Sequence, residues 1–241
     1  MNARTVGFAV ALALGTASFA AADTKNIDRT LPLNASGTLE LEAHNGAIQI
    51  RTWDRPQTEI HVHIDWPGLS ASSDRFPTVD IDGSPDRVSV RWNSRYAYNW
   101  TLWSLFDTQW GPAEVRYDVT VPKTVRLEIH NHNASTDIRD FAGQLNVNTH
   151  NGRTRVDFAS FTRDSRIEMH NGMFDASMPA ASKFNFESRG HHAYVDSDFK
   201  PAVHAVYHGR GENNVGGTVN GGGPNLRIVS HNASVRLHSK G

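Results

Sequence analysis

The sequence predicts an all-β fold, a β-solenoid of short strands with coils of about 18–23 residues. Three observations lead there. A His-Asn pair returns at nearly fixed spacing, apolar residues alternate strictly on both sides of it, and no segment after residue 22 shows a helical period of convincing length.

At the N-terminus, Arg4 precedes an apolar run from Val6 to Leu14, and small residues lead to Ala20-Ala21-Ala22 before Asp23. Residues 1–22 therefore read as a secretory signal peptide cut after Ala22. The run is too short to span a bilayer, and no later segment is long enough. The expectation is an exported protein of the periplasm or cell surface without a transmembrane segment. Loss of residues 1–22 removes Arg4 alone, leaving 23 basic against 25 acidic residues, a balance that points to no nucleic acid and no anionic membrane. The chain has no cysteine, so its stability in an oxidising compartment must come from the fold itself.

Residues 23–241 read as a single domain. Its first part, 23–123, is the less regular one: TEIHVHIDW (58–66), DRVSVRW (86–92) and AEVRYDVTVP (113–122) alternate as strands, and loops rich in Pro, Ser, Gly and Asp separate them. From 124 to 241 the repeats are regular. LELEAHNGAIQI (39–50), LEIHNHNASTDI (127–138), LNVNTHNGRTRV (145–156), RIEMHNGMFDA (166–176) and LRIVSHNASVRL (226–237) share one frame: apolar-x-apolar-x-small-His-Asn-Gly/Ala-x-apolar-x-apolar. FNFESRGHHAYV (184–195) and VHAVYHGRGENNV (203–215) read as degraded copies. Anchored on His132, His150, His170, Arg189, His208 and His231, the spacings are 18, 20, 19, 19 and 23. Each repeat then reads as two short strands joined by a bend at Asn-Gly, where glycine tolerates backbone angles other residues resist. One coil cannot bury its apolar face alone, so the coils must stack.

GTLELEAHNGAIQIRTWDRPQTEIHVHI, VRYDVTVPKTVRLEIHNHNASTDI and the repeats after them resemble the bacterial adhesin-like domain family, β-solenoid domains of unknown function related to autotransporter-adhesin head domains. The likeness runs from about Asn26 to Leu237. It implies a β-solenoid displayed in the cell envelope, and it brings no catalytic site with it. The His before the Asn is a departure from the general family pattern.

Four sets of residues could carry a function. Asn45, Asn133, Asn151, Asn171 and Asn232 are expected to point inward and to form a side-chain amide ladder from coil to coil. The histidines beside them, with His44 and His231 at the ends, would then form an outward row about 4.8 Å apart. Two readings of that row stay open: polar turn chemistry, or a divalent transition-metal site built from Glu128, His130, His132, His150 and His170. A pH response is a further possibility, because a row of imidazoles charges together near pH 6. In the insert 92–112, Trp92, Tyr96, Tyr98, Trp100, Trp103, Phe106 and Trp110 form either a cap over an apolar edge or a binding surface for sugar rings or a membrane interface. Asp137, Asp157, Asp175 and Asp196 would be the carboxylates of a polysaccharide hydrolase or lyase, but Arg139 and Arg155 alternate with them as charge pairs do. No nucleophile elbow, zinc-protease motif or phosphate loop occurs.

The chain thus reads as a non-catalytic, cofactor-free envelope or surface binding protein, whose partner is an envelope or extracellular glycan or protein. A metal-binding envelope protein and a polysaccharide-cleaving solenoid are the alternatives. Self-association through the terminal coil, Leu226 to Leu237, is the other contact considered; Arg227, His231, Arg236 and His238 would act against it.

Overall fold

Alternation places every second side chain on one face of a strand, and a strand with one apolar face has to find a partner to cover it. The computed structural model describes residues 23–66, 77–93, 114–191, 194–200, 202–209 and 212–241, and all regular structure among them is β. In chain order the strands are β1 (Asp23–Pro32), β2 (Thr38–Trp53), β3 (Gln57–Trp66), β4 (Thr78–Ser84), β5 (Arg87–Asn93), β6 (Glu114–Pro122), β7 (Arg126–Phe141), β8 (Gln144–Phe158), β9 (Ser165–Pro179), β10 (Phe184–Gly190), β11 (Tyr194–Ser197), β12 (Ala202–Gly209), β13 (Glu212–Val219) and β14 (Asn225–Lys240). They belong to one 14-stranded sheet among the described residues.

Its centre is a stack of five long strands in the order β2, β7, β8, β9, β14, each parallel to the next. The pairing aligns like with like: Leu39 with Leu127, Leu127 with Leu145, Asn151 with Asn171 and Asn171 with Asn232. The expected two short strands per coil are in fact one strand of 15 or 16 residues, because backbone pairing continues through the bend.

Half-length strands complete the stack at both ends. On the near side, β5 pairs with the first half of β2 and β6 with the second, so Leu41 faces Val90 and Ile48 faces Tyr117. The chain leaves at Asn93 and returns at Glu114, on either side of the bend in β2. On the far side, β10 and β11 flank the two halves of β14 in the same manner. Antiparallel strands cover these outer halves: β3 on β6, β1 on β3, β4 on β5, β13 on β10 and β12 on β13.

Three expectations are corrected here. The segment 203–215 is no coil: β12 and β13 form an antiparallel hairpin in which His208 pairs with Asn213. The frame of the 184–195 copy is shifted by two residues, since Gly190 aligns with Ser230 and hence His191, not Arg189, with His231. The coil Leu226–Leu237 is no exposed edge either, because β14 lies between β9 and β10–β11 and is paired on both flanks. Its backbone donors and acceptors are used, which removes the open edge on which self-association was considered.

Columns of identical frame positions fill the interior. Leu41, Ile129, Val147, Ile167 and Ile228 form one, and Ile50, Ile138, Val156, Ala176 and Leu237 another, all buried. Each such Leu, Ile or Val contributes roughly 1.5–3 kcal/mol over its exposed state. Along one end of the coils run Phe141, Phe158, Phe161, Phe184 and Phe199, with successive ring centroids 6.1, 5.2, 5.6 and 5.3 Å apart. The last three contacts are edge-to-face, the arrangement that the ring quadrupoles favour.

Tyr117 of β6 is wholly buried, and its hydroxyl has no hydrogen-bond partner. Burial, and secondarily the Glu42 carboxylate, pushes its phenol well above the ordinary tyrosine range. The folded state therefore holds this proton while the unfolded chain loses it near pH 10, so the associated stability is complete below about pH 10 and declines above it. Tyr117→Phe is expected to be about 1 kcal/mol more stable at pH 8, because it removes an unsatisfied polar group, and to lose less stability between pH 8 and pH 10.5. Denaturant midpoints at the two pH values check this; a less stable variant at pH 8 contradicts it.

Candidate functional site

The bend of each long strand places the His-Asn pair on the outside of the stack. The residue before each His faces inward and is buried: Ala43, Asn131, Thr149, Met169 and Ser230. Alternation then turns His44, His132, His150, His170 and His231 outward, and all five are exposed. In-register pairing stacks their rings. Centroids are 5.1, 4.7, 4.7 and 4.9 Å apart in the order His44, His132, His150, His170, His231, with planes within 5° of parallel. His191 extends the row at 5.5 Å from His231, tilted by 57°.

The neighbouring asparagines form an unbroken ladder. Asn133 Nδ2 donates to Asn45 Oδ1 at 3.2 Å, Asn151 to Asn133 at 2.8 Å, Asn171 to Asn151 at 3.0 Å and Asn232 to Asn171 at 3.2 Å. All four bonds run the same way, so the amide dipoles add along the stack. The amides are exposed or half-exposed at the bend, not inward as the alternation suggested, because the backbone turns at that residue. The interior beneath them has its own polar contact: Thr149 Oγ1 donates to Asn131 Oδ1, and Asn131 Nδ2 donates to Thr136 Oγ1 at 3.1 Å.

Close approach of the coils explains the glycine after the Asn. Gly46, Gly152 and Gly172 have φ of 115, 146 and 151°. A Cβ on Gly172 would lie 2.0 Å from the carbonyl oxygen of Gly152, and one on Gly152 would lie 2.3 Å from that of Ala134. Ala134 and Ala233 occupy the same frame position without positive φ and bury their methyl groups, so the bend has two backbone solutions.

The row's flanks carry charges of both signs. Arg91 and Arg116 stand beside its head, Arg153 beside its middle and Arg189 near its tail; the carboxylates are Glu42, Glu168 and Glu114, of which Glu114 stands two residues before Arg116 on β6. Arg91 is bonded to Asp82 at 3.1 Å and Arg189 Nε to Glu187 at 2.5 Å. Glu168 is already engaged, by Arg166 Nε at 2.5 Å and Asn148 Nδ2 at 3.3 Å. None of the five stacked histidines has a carboxylate or hydrogen-bond partner among the described residues.

Of the residues considered for a metal, the fold unites His132, His150 and His170 and leaves the others apart. His130 lies one outward position earlier on β7, between Glu42 and Asn148. Glu128 lies near Arg87 and Arg126, at 3.9 Å from each. Zinc-like ions need nitrogens converging at about 2.0–2.1 Å, whereas stacked parallel rings aim their in-plane lone pairs side by side. Among the described residues no group of three or more His, Asp or Glu side chains converges as a metal site. On β3, His61 binds Asp28 at 2.6 Å and His63 binds Asn26 at 2.7 Å.

Of the aromatic set, Trp92 is half-buried on β5 and packs against the core. Tyr96, Tyr98, Trp100, Trp103, Phe106 and Trp110 lie outside the described residues. Tyr194, which sequence reasoning passed over, is 65% exposed on β11 and sits across from Ser234, beside the tail of the row. Its signal was its place in the 184–195 copy, hidden by the shifted frame. Three of the four aspartates meet cations: Asp137 accepts from Arg139 at 2.8 Å, Asp175 lies 3.6 Å from Arg155, and Asp157 pairs with Lys240; Asp196 lies on β11, aligned with Arg236.

No protein-family model matches the sequence, and no curated protein matches it. Among solved structures, a candidate cell-adhesion protein of Clostridium sporogenes superposes with a TM-score of 0.52 at 10% identity, over 90% of this chain and 100% of that one. A candidate adhesin of Bacteroides fragilis gives 0.35 at 9% identity over 88% and 97% of the two chains, too low a score to carry an argument. The chain thus shares an adhesin-like all-β fold with the first of these.

The ladder has a measurable weight. Asn151 makes two of its bonds and Asn45 one. Asn151→Ala is expected to lower stability by about 1–2 kcal/mol and Asn45→Ala by about half as much, as net worths near 1 kcal/mol per hydrogen bond imply. Urea unfolding of both variants checks the order; equal or absent losses contradict the ladder.

Proposed function

We propose that this chain is an exported, non-catalytic, adhesin-like binding protein of the cell envelope or surface, built as a β-solenoid with its contact face along the imidazole row. The observation that carries the reading is the row itself: exposed side chains, one per coil, held in fixed order by backbone pairing and the Asn ladder. A surface organised before its ligand arrives loses less conformational entropy on binding. The export reading rests on the Arg4 to Ala22 leader pattern. The similarity in fold to a candidate cell-adhesion protein agrees with a role outside the cytoplasm.

Against cleavage of a polysaccharide stands the pairing of Asp137, Asp157 and Asp175 with Arg139, Lys240 and Arg155. Hydrolysis needs two carboxyl groups set across a bond, and these three carboxylates face cations instead.

The test is retention of glycans on an array of neutral and acidic extracellular sugars by the chain beginning at Asp23. Wild type is expected to retain at least one class without shortening it. His132→Ser/His150→Ser/His170→Ser, folded as judged by its melting transition, is expected to lose that retention. Retention unchanged in the variant, or shortened sugar chains in the wild-type eluate, contradicts the reading.

A further inference from the structure

We infer that the imidazole row is a proton-gated binding site for a linear, carboxylated polysaccharide. The inference rests on the row being the contact face and adds its ligand class and its regulation.

The charge around the row is the starting point. Glu42 from β2, Glu114 from β6 and Glu168 from β9 are the carboxylates beside it, and Arg91 from β5, Arg116 from β6, Arg153 from β8 and Arg189 from β10 are the cations, with Asp82 of β4 bonded to Arg91 and Glu187 of β10 to Arg189. β7 contributes the titratable His130, and β14 contributes the uncharged Val229 and Ser234 opposite Glu168 and Met173. β11 contributes Tyr194, opposite Ser234. With neutral imidazoles the strip is close to charge-balanced, since Arg91, Arg189 and Arg166 are paired with Asp82, Glu187 and Glu168, and Glu42 and Glu114 stand against Arg116 and Arg153. Protonation then adds charge along rings spaced 4.7 to 5.1 Å apart, on strands whose pairing fixes the spacing of their backbones.

Stacked imidazolium ions repel one another, and among the described residues no carboxylate lies within ion-pair distance of the five stacked histidines. An anion from outside can supply that contact. A ligand with many carboxylates on one backbone engages several imidazolium groups at once, so each contact after the first is intramolecular. By linkage, the ligand that favours the charged row also raises its proton uptake.

Shape selects among polyanions. The row runs across successive strands of a parallel stack, one ring per strand with neighbouring planes within 5° of parallel. Duplex DNA carries its phosphates on a helix, 3.4 Å apart along the axis per strand, and so curves away after a few contacts. An extended uronate chain, with a carboxylate on each sugar, stays alongside. Sugar rings can also rest on the exposed Tyr194 beside the tail of the row.

The experiment measures binding of the chain from Asp23 to immobilised polygalacturonate at pH 5 and pH 8, with dextran and double-stranded DNA as comparison surfaces in the same salt. Polygalacturonate is expected to bind about tenfold or more tightly at pH 5 than at pH 8, in the range where histidine gains its charge, and to weaken as salt rises. His132→Gln/His150→Gln/His170→Gln keeps polar side chains and is expected to lose the pH dependence while melting as the wild type does. If that triple variant does not fold, His150→Gln alone is expected to reduce binding at pH 5 and leave binding at pH 8 unchanged. Equal affinity at both pH values, an unaffected variant, or DNA bound as tightly as polygalacturonate overturns the assignment. Row-dependent retention of neutral glycans without any of polygalacturonate overturns it too, and leaves the contact-face reading standing.

Discussion

Parallel, in-register pairing of β2, β7, β8, β9 and β14 is the constraint on which the rest depends. Pairing at about 4.8 Å turns each position of a 12-residue frame into a column along the stack. A leucine column becomes core, an asparagine column becomes a ladder, and a histidine column becomes a row of parallel rings. A register slip of one residue in any coil would send its His inward and its buried neighbour out, so the apolar columns and the surface row specify the same alignment.

Some of the columns work against one another. The interior ones gain from burial, and the Asn column satisfies its own amides, but the His column places like groups side by side. Neutral rings stack at no cost in charge; protonated ones do not. The frame tolerates this because apolar columns such as Leu41 to Ile228 and Ile50 to Leu237 hold each coil on both sides of the bend. A stack secured there can carry a strained outer row without losing register, which is how a repetitive scaffold comes to hold a chemically active surface.

Much of this was legible in the chain. LELEAHNGAIQI, LNVNTHNGRTRV and their relatives show the alternation, the bend and the outward His directly, because those signals are local and repeat. The order of the coils was not. Nothing local tells β14 to enter between β9 and β10, since strand order is a choice among partners with near-identical edges. VHAVYHGRGENNV alternates like a coil yet folds as a hairpin, because its turn joins two strands that pair antiparallel with each other. The misplaced frame of 184–195 has the same source: Arg189 stands 19 residues after His170, but its true alignment is with Val229, a contact 40 residues away. The flanking arginines of the row come from four separate strands, so their convergence was invisible until the order was known.

That order also offers the most direct check of the account, and the lack of cysteine in the chain makes it clean. A disulfide requires Cα atoms within about 7 Å, a condition met by adjacent coils and not by coils two steps apart, roughly 9.6 Å. The measurement is oxidation of two double variants, His170→Cys/His231→Cys and His170→Cys/His191→Cys, followed by peptide mapping. The account predicts a rapid 170–231 cross-link and none within one chain between 170 and 191, because β14 separates β9 from β10. A 170–191 cross-link without a 170–231 one would mean that the coils follow chain order, and the continuous imidazole row would not exist as described.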